Sequence, residues 1–188
     1  MPADRLDEVL DATYTCLTRY GVRRTTMDDI ASAMGVSRSA VYQYVSGKDD
    51  AFRQLAGRLH DRALVRARSA AADLDAPCAT RVRGVLAAKL DLVLQLSGDS
   101  PHTAELLDEQ ARLFGGICTG FTADLQSLLT ALFTEAGTGE AVTPAQAADI
   151  CIALVVGLES APDSRRLLDP ASDALLAGLL GTSVGTSR

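Results

Sequence analysis

The sequence predicts an all-α fold of about nine helices, and three observations support this. Apolar residues recur at spacings of three and four along nearly the whole chain, and no segment alternates apolar and polar residues as a strand would. Alanine and leucine, which favour helices, dominate a composition that is 47% hydrophobic and only 4% aromatic. Glycine, proline and capping threonine or serine residues separate the periodic segments.

Charge and hydropathy narrow the class of protein. No stretch of the length needed to span a membrane is apolar and uncharged. The N-terminal segment is acidic and lacks the apolar centre of a signal peptide, so we expect a cytoplasmic protein. Residues 1–68 hold 11 basic and 9 acidic residues, whereas residues 69–188 hold 7 basic and 15 acidic residues. This difference in sign hints at two separate tasks.

Residue types that carry enzyme or metal chemistry are sparse. The chain has two histidines and four cysteines. The cysteines are widely spaced without a C-x-x-C pair, which favours mostly buried thiols over a metal site or a redox switch. Nucleophile-elbow, Walker, H-E-x-x-H and strand-linked dinucleotide motifs are absent from the sequence. We therefore expect no catalytic residues, no metal ligands, no cofactor and no enzyme activity.

Capping signals define the first three helices. Apolar residues from Leu6 to Tyr20 form one stripe, and Gly21 follows it as a helix-ending glycine. Thr26, with an aspartate three residues later, predicts a capping box at the start of a second helix. Gly35 ends that helix, and Ser37 can cap a third one, so a turn of about three residues joins the two.

The remaining helices are delimited by similar signals. Ser46 and Asp49 offer a cap for a fourth helix over about 47–71, and the segment 73–80 is the clearest break. Ser100-Pro101 and Thr143-Pro144 place prolines at first helical positions. The further helices are expected at about 81–97, 101–113, 115–136, 144–160 and 170–181.

The third helix, expected from Arg38 to Tyr44, sorts its side chains onto two faces. On a helical wheel Val41 turns toward the core, and Val36 and Val45 flank it as apolar anchors. The opposite arc holds hydrogen-bonding side chains, namely Arg38, Ser39, Tyr42 and Gln43. The spacing therefore predicts a helix-turn-helix, although a helical hairpin with a merely solvated face has the same periodicity.

The polar arc has the chemistry to read DNA. Arg38 could donate two hydrogen bonds to guanine, and Gln43 could read adenine. Tyr42 offers a hydroxyl to a phosphate oxygen. Lys48, beside the N–H groups at the start of the fourth helix, predicts an anion site.

The segment "TTMDDIASAMGVSRSAVYQYVSGKDDAF" resembles the DNA-binding segment of the tetracycline-repressor (TetR) family, with a match over roughly residues 5–60. The residues that carry the resemblance are Thr26, Ala31, Met34, Gly35, Val36, Ser37, Tyr42, Tyr44 and Lys48. It implies a DNA-binding set that adds Thr26, Ser37 and Tyr44 to the residues of the polar arc and Lys48.

The resemblance also implies a homodimer, joined through the last two long helices, that binds a palindromic operator in double-stranded DNA. Independently, the helix at 144–160 is apolar over too wide an arc for a surface helix. The residues that make the arc so wide are Ile150, Leu154, Val155, Val156 and Leu158. A core within one protomer would also explain these residues.

C-terminal domains of this family usually bind a small ligand, so the resemblance implies a repressor released by an unidentified small-molecule effector. The polar and aromatic candidates for its site are His102, Glu105, Glu109, Arg112, Cys118 and Phe121. A solvated first-turn position would also explain His102, and a core position would explain Phe121.

The expected organisation is a DNA-binding domain over 1–47, a linking fourth helix over 48–72, a ligand-binding and dimerisation domain over 73–182 and a disordered tail over 183–188. Two other functions remain compatible with the sequence. One is an activator or architectural DNA-binding protein, and the other is a helical protein-interaction module without a DNA partner.

Overall fold

The computed structural model describes residues 2–98, 102, 105–106 and 115–180, and eight helices lie within them. The helices are α1 (Pro2–Arg24), α2 (Met27–Met34), α3 (Arg38–Val41), α4 (Lys48–Ala71), α5 (Cys78–Gly98), α6 (Gly115–Ala136), α7 (Pro144–Glu159) and α8 (Ser164–Leu179). Within these ranges one isolated bridge, between Thr138 and Leu180, is the extent of strand-like pairing. The all-α prediction is confirmed.

Two segments whose structure the sequence predicts lie outside the described residues. They are the tail at 183–188 and nearly all of the helix expected at 101–113. Within the described ranges, no helix has the length and apolar character needed to cross a bilayer.

The chain divides into two compact units. The first unit comprises residues 1–61 and 94–119, and the second comprises residues 62–93 and 120–188. Gln95, Glu105 and Cys118 lie beyond the predicted linking helix in the sequence, yet they contact Tyr14, Arg23 and His60 of the first unit. The functional domain boundaries expected from the sequence stay a prediction.

The first unit is built around the apolar faces of α1, α2 and α3. Val9 and Cys16 of α1 pack with Ile30 of α2 and with Val41 and Val45. All five side chains are at most 2% exposed. This shared core allows α3, which is too short to be stable alone in water, to keep its helical turn.

An ion-pair cluster joins α4 to α1 in the same unit. The Arg58 guanidinium lies 2.7 Å from the Asp11 carboxylate and 3.4 Å from that of Asp7. It also donates to the Asp7 backbone carbonyl at 3.2 Å. The Arg58 side chain is only 12% exposed, so these contacts hold the first half of α4 against α1.

The second unit has its own apolar core. All five of its helices contribute buried side chains. They come from α4 (Ala63, Leu64, Ala67 and Ala71), α5 (Val82, Val85, Leu86, Ala88, Leu90 and Leu92), α6 (Phe121, Leu125, Leu129, Leu132 and Phe133), α7 (Ala147, Ala148, Cys151, Val155 and Leu158) and α8 (Leu168, Leu176 and Leu179). Arg81 of α5 is 7% exposed and donates to the Ala71 carbonyl and to both carboxylate oxygens of Glu135. This bidentate pair fixes α5 to the end of α6.

The last helix corrects a sequence prediction. The sequence predicts a helix only from about residue 170, although a proline is unfavourable in a helix interior. Instead α8 begins at Ser164 and Pro170 lies inside it. Ser164, Leu168 and Ser172 are all buried, and this i, i+4 stripe continues across the proline. Burial of one continuous face therefore outweighs the backbone hydrogen bond that Pro170 cannot make.

Three other helix ends complete the comparison with the sequence. Gly21 has a non-helical conformation (φ 78°, ψ 172°), so the regular part of α1 ends there as predicted, and a short helical segment beyond this kink extends to Arg24. Helix α5 begins at Cys78, about three residues early, because the Pro77 carbonyl already accepts helical N–H groups. At the start of α4 the Asp50 carboxylate accepts from the Ser46 N–H and hydroxyl.

Candidate nucleic-acid interface

The turn between α2 and α3 is fixed by its own residues. Gly35 adopts a left-handed conformation (φ 67°, ψ 29°), and its N–H donates to the carbonyls of Ala31 and Ser32. Ser37 then caps α3, since its hydroxyl accepts from the Ala40 N–H at 3.3 Å. A positive φ suits glycine at a helix C-terminus, so the predicted glycine turn is confirmed.

Helix α3 is shorter than the sequence predicted. Its helical residues end at Val41, and backbone bonds continue as a turn in which the Tyr44 N–H donates to the Val41 carbonyl at 3.0 Å. The burial pattern matches the helical wheel, because Val41 is fully buried and Val45 is 2% exposed. The exposed side is lined by Ser37, Arg38, Ser39, Tyr42 and Gln43.

Two members of the predicted DNA-binding set also serve the structure of the domain. Thr26 is exposed, and it exchanges hydrogen bonds with Asp29 in the predicted capping box, which is confirmed. The bond from the Thr26 hydroxyl lowers the pKa of the Asp29 carboxyl. Tyr44 is half-buried and packs against the core of the first unit.

Arg38 is held in place by two neighbours. Its guanidinium donates to the Tyr42 hydroxyl at 3.0 Å and to the Asp28 carboxylate at 3.2 Å. It also lies 5.4 Å from the centroid of the Tyr42 ring, within cation–π range. The Tyr42 bond and the Asp28 charge together raise the pKa of Arg38. Arg38 is therefore oriented on the exposed face by contacts with Tyr42 and Asp28.

Lys48 begins α4 and lies against the end of α1. Its ammonium donates to the Arg23 carbonyl at 3.2 Å, and the Arg23 N–H donates to a carboxylate oxygen of Glu105 at 3.4 Å. The positive charge of Lys48 therefore lies beside the N-terminus of α4. Such a combination attracts phosphate oxygens.

The predicted ligand-binding residues do not form one described cluster. His102 Nδ1 lies 3.3 Å from Glu105 Oε1. Cys118 contacts His60, and Phe121 is buried in the second unit. The other two candidates, Glu109 and Arg112, lie outside the described residues.

An open surface depression of about 650 Å³ is lined by other residues, namely Arg66, Ser69, Ala70, Ala72 and Asp73. None of the six predicted ligand-binding residues is among them. Within the described ranges, no group of three or more histidine, cysteine or acidic residues is arranged to hold a metal ion.

Sequence reasoning missed three residues of these sites. Asp28, Arg23 and His60 are not among the residues that the sequence predicts for them. Their roles arise from contacts across 10, 25 and 58 positions of the chain. Only the Asp28 contact had a signal in the sequence, because Asp28 is an acidic residue in the helix just before the one that carries Arg38.

Residues 9–55 match the family described as "Bacterial regulatory proteins, tetR family". The matched segment contains α2, α3 and the contacts of Arg38 and Lys48 described above. The chain is therefore similar to this family of regulators over residues 9–55. No curated protein sequence matches it significantly.

Solved structures of several transcriptional regulators share the fold of this chain. SmeT, the repressor of the Stenotrophomonas maltophilia multidrug efflux pump SmeDEF, is similar with a TM-score of 0.70 at 22% identity, over 97% of this chain and 95% of SmeT. The fatty acid degradation regulator FadR from Bacillus halodurans gives a TM-score of 0.70 at 17% identity, over 92% and 94%. A TetR/AcrR-family regulator from Thermobifida fusca YX-ER1 gives a TM-score of 0.64 at 20% sequence identity, over 98% of this chain and 100% of the regulator.

Proposed function

We propose that this chain is a transcriptional repressor that binds a palindromic operator as a homodimer and leaves it when a small molecule binds. The observation that carries the proposal is the exposed face of α3. Its side chains are hydrogen-bonding groups that match base edges and phosphates, while Val41 anchors the opposite face. The proposal places the chain with DNA in the cytoplasm and assigns it no enzymatic role.

The DNA-binding set comprises Thr26, Ser37, Arg38, Ser39, Tyr42, Gln43, Tyr44 and Lys48. Arg38 and Gln43 are proposed to contact bases, because both are exposed and carry the side-chain types that pair with guanine and adenine. Tyr42 and Lys48 are proposed to contact phosphates. Phosphate contacts position the protein on the duplex without reading its sequence.

The homodimer is supported by an uncharged surface in the second unit. On α8 the ion-pairing residues, Arg165, Asp169 and Asp173, all bind residues of α5. The rest of its exposed surface includes an apolar stripe of Leu167, Ala171, Ala174 and Gly178. On α7, which packs against α8, exposed apolar residues follow the same pattern, namely Ile150, Ala153, Val156 and Gly157.

We call these two stripes together the α7–α8 face, and exposed apolar side chains concentrated on one pair of helices are typical of an interaction site. Ile150, Val156 and Leu167 are 37%, 48% and 42% exposed in the single chain. Small residues between them allow two helices to approach closely. A second copy of the chain fits the face, since a two-fold axis pairs a patch with itself and matches a palindromic operator.

The proposal that a small molecule releases the protein from DNA is supported by similarity to other repressors. The free energy that such a ligand must supply can be stated. SmeT and the Pseudomonas aeruginosa protein NalD are both described as repressors of multidrug efflux pumps, and a SmeT–triclosan complex is also similar to this chain. An effector must favour the DNA-incompetent state by about 5.5 kcal/mol to move a 1:99 equilibrium to 99:1. We propose that it does so by changing the spacing of the two α3 helices from the roughly 34 Å between successive major grooves.

The test is a binding assay with labelled DNA that flanks the coding sequence of this chain, measured against a random duplex of equal length at low salt. Preferential binding that a small molecule reverses is expected. Equal affinity for both duplexes in the ligand-free dimer would overturn the proposal. Binding that persists but activates transcription in a reporter would replace repression by activation.

Removing a base contact is expected to relax sequence preference. Arg38→Ala and Gln43→Ala should each lower discrimination against mismatched sites by about 1–3 kcal/mol, because a bidentate base contact is lost. Asp28→Asn is the matched control, since it breaks the Arg38–Asp28 pair but keeps the guanidinium. It should preserve the discrimination and raise affinity for all DNA. Unchanged specificity in both alanine variants would contradict the assignment of α3 as the reading helix.

Removing the Lys48 charge is expected to weaken binding to every sequence equally. In Lys48→Met the plot of log affinity against log salt should flatten by about 0.9, the contribution of one neutralised phosphate. Arg66→Met, which removes an exposed charge about 27 Å further along α4 at 1.5 Å per residue, should leave the slope unchanged. Equal slopes in wild type and Lys48→Met would remove Lys48 from the phosphate contacts.

A further inference from the structure

Cys118, in the second turn of α6, lies against a histidine. Its Sγ is 3.4 Å from Nε2 of His60 on α4, and both side chains are half-buried within the first unit. These residues are 58 positions apart in the chain, so tertiary packing brings them together. A thiol within hydrogen-bond reach of an imidazole has the geometry of a nucleophile beside its base.

The orientation of the His60 ring fixes its tautomer. Nδ1 lies 2.7 Å from the Ala56 carbonyl oxygen, one helical turn earlier in α4. A carbonyl oxygen can only accept, so Nδ1 carries a hydrogen. In the neutral ring Nε2 is then the acceptor that faces Cys118. In that tautomer the thiol can donate its hydrogen to Nε2, and transfer of the proton to His60 gives a thiolate beside an imidazolium.

The other three cysteines have different surroundings. Cys16 is buried in the core of the first unit, and burial raises the pKa of its thiol. Burial raises the pKa of Cys151 to about 12. Cys78 is half-buried like Cys118, but its Sγ faces the Leu132 carbonyl at 3.7 Å, and burial also raises its pKa. Cys78 is therefore a natural comparison, with similar exposure but a carbonyl in place of an imidazole.

We propose that Cys118 and His60 form a nucleophilic pair that captures soft electrophiles, specifically carbonyl-conjugated alkenes such as enones and quinones. Sγ forms a bond to the β-carbon while the C=C electron pair moves toward the carbonyl to give an enolate. His60, which took the thiol proton, returns it to the α-carbon. The step is an addition, so it uses one thiol, releases nothing and needs no oxidant.

The adduct has a direct consequence for the first unit. An alkyl group on Sγ removes the hydrogen from Cys118 and displaces the sulfur from Nε2 of His60. Helix α4, which carries His60, begins at Lys48 beside the end of α1. We therefore expect the adduct to weaken DNA binding. This regulatory consequence rests on the proposed function, whereas the modification site itself does not.

The chemical test uses N-ethylmaleimide, itself a carbonyl-conjugated alkene, on the full chain at neutral pH. Labelling rates at each cysteine are measured by peptide mass spectrometry. Cys118 is expected to react at least tenfold faster than Cys78. His60→Gln should slow Cys118 at least tenfold and leave the rate at Cys78 unchanged. Equal rates at the two cysteines, or a rate at Cys118 that His60→Gln does not change, would overturn the nucleophilic pair.

Unfolding of the variant can be recognised in the same experiment, because the buried Cys16 and Cys151 would then be labelled in native buffer. In that case the proposal is judged only by the ratio of the labelling rates at Cys118 and Cys78 in the wild-type chain. DNA binding is measured before and after labelling. Wild type should lose affinity at least tenfold, whereas Cys118→Ser should keep the affinity that it had before treatment.

The two proposals fail separately. Rapid labelling of Cys118 without a change in DNA binding would overturn the regulatory consequence and support the modification site. If the untreated chain has no preference for any DNA, the proposed function fails, and the labelling rates still decide whether the Cys118–His60 pair is nucleophilic.

Discussion

Replacing Ala153 with glutamate is expected to convert the dimer into monomers and to weaken operator binding by about 10²–10⁴-fold, the gain typical of two linked binding heads. Ala153 is exposed in α7 and lies within the uncharged α7–α8 face. A carboxylate there would be buried without a partner when two copies meet, and burying an unpaired charge is strongly unfavourable. In a monomer the same side chain stays in water and costs little.

Sedimentation velocity of the two proteins at matched concentration would measure the change, together with operator affinity by fluorescence anisotropy. The matched control is Ala131→Glu, which places the same charge on an exposed position of α6, outside the α7–α8 face. It should sediment and bind as wild type does. A dimeric Ala153→Glu variant with wild-type affinity would show that the α7–α8 face is not the contact between copies.

The helix-turn-helix could be predicted from the sequence because its signals are local. The capping box at Thr26, the glycine turn at Gly35 and the cap at Ser37 each act over three or four residues. The alternation of Val41 and Val45 with polar residues then fixes which side of α3 is buried. A segment this short leaves little freedom for tertiary packing to change the outcome.

The contacts that complete the sites could not be predicted in the same way. The Arg38–Asp28 pair, the Cys118–His60 pair and the Glu105 contact with Arg23 join residues 10, 58 and 82 positions apart. Periodicity assigns each residue to a face of its own helix but does not say which other helix that face meets. The candidate list from the sequence named Cys118 and Glu105 without their partners for this reason.

Helix α8 shows a different limit. The sequence predicts that this helix begins near residue 170. In the structure the buried residues Leu168, Ser172 and Leu176 form one helical stripe that continues across Pro170. The stripe is visible in the sequence as an i, i+4 pattern. The burial of two serines within it depends on neighbouring helices, so the pattern could be weighed against the proline only once the packing was known.

Gly21→Ala is expected to lower the free energy of unfolding by about 1–3 kcal/mol, the usual cost of a side chain in a backbone region that only glycine occupies freely. Gly21 has φ 78° and ψ 172°, where the chain turns from the regular part of α1 toward Arg23 and Arg24. An added Cβ would also lie 2.3 Å from a carboxylate oxygen of Glu105. Urea denaturation at a fixed chain concentration would measure the loss.

Two further variants separate the causes. Gly57 lies inside α4 with no atom within 4 Å of an added Cβ, so Gly57→Ala should stabilise the chain by about 0.4–1 kcal/mol. The Glu105 carboxylate is the end of a flexible side chain and can move away, so most of the Gly21→Ala loss should persist in a Glu105→Ala background. A loss that disappears there would assign the effect to the carboxylate contact instead of the backbone. If Gly21→Ala stabilised the chain, the positive φ of Gly21 would be contradicted. The backbone turn that places the Arg23 carbonyl beside Lys48 would then be contradicted too.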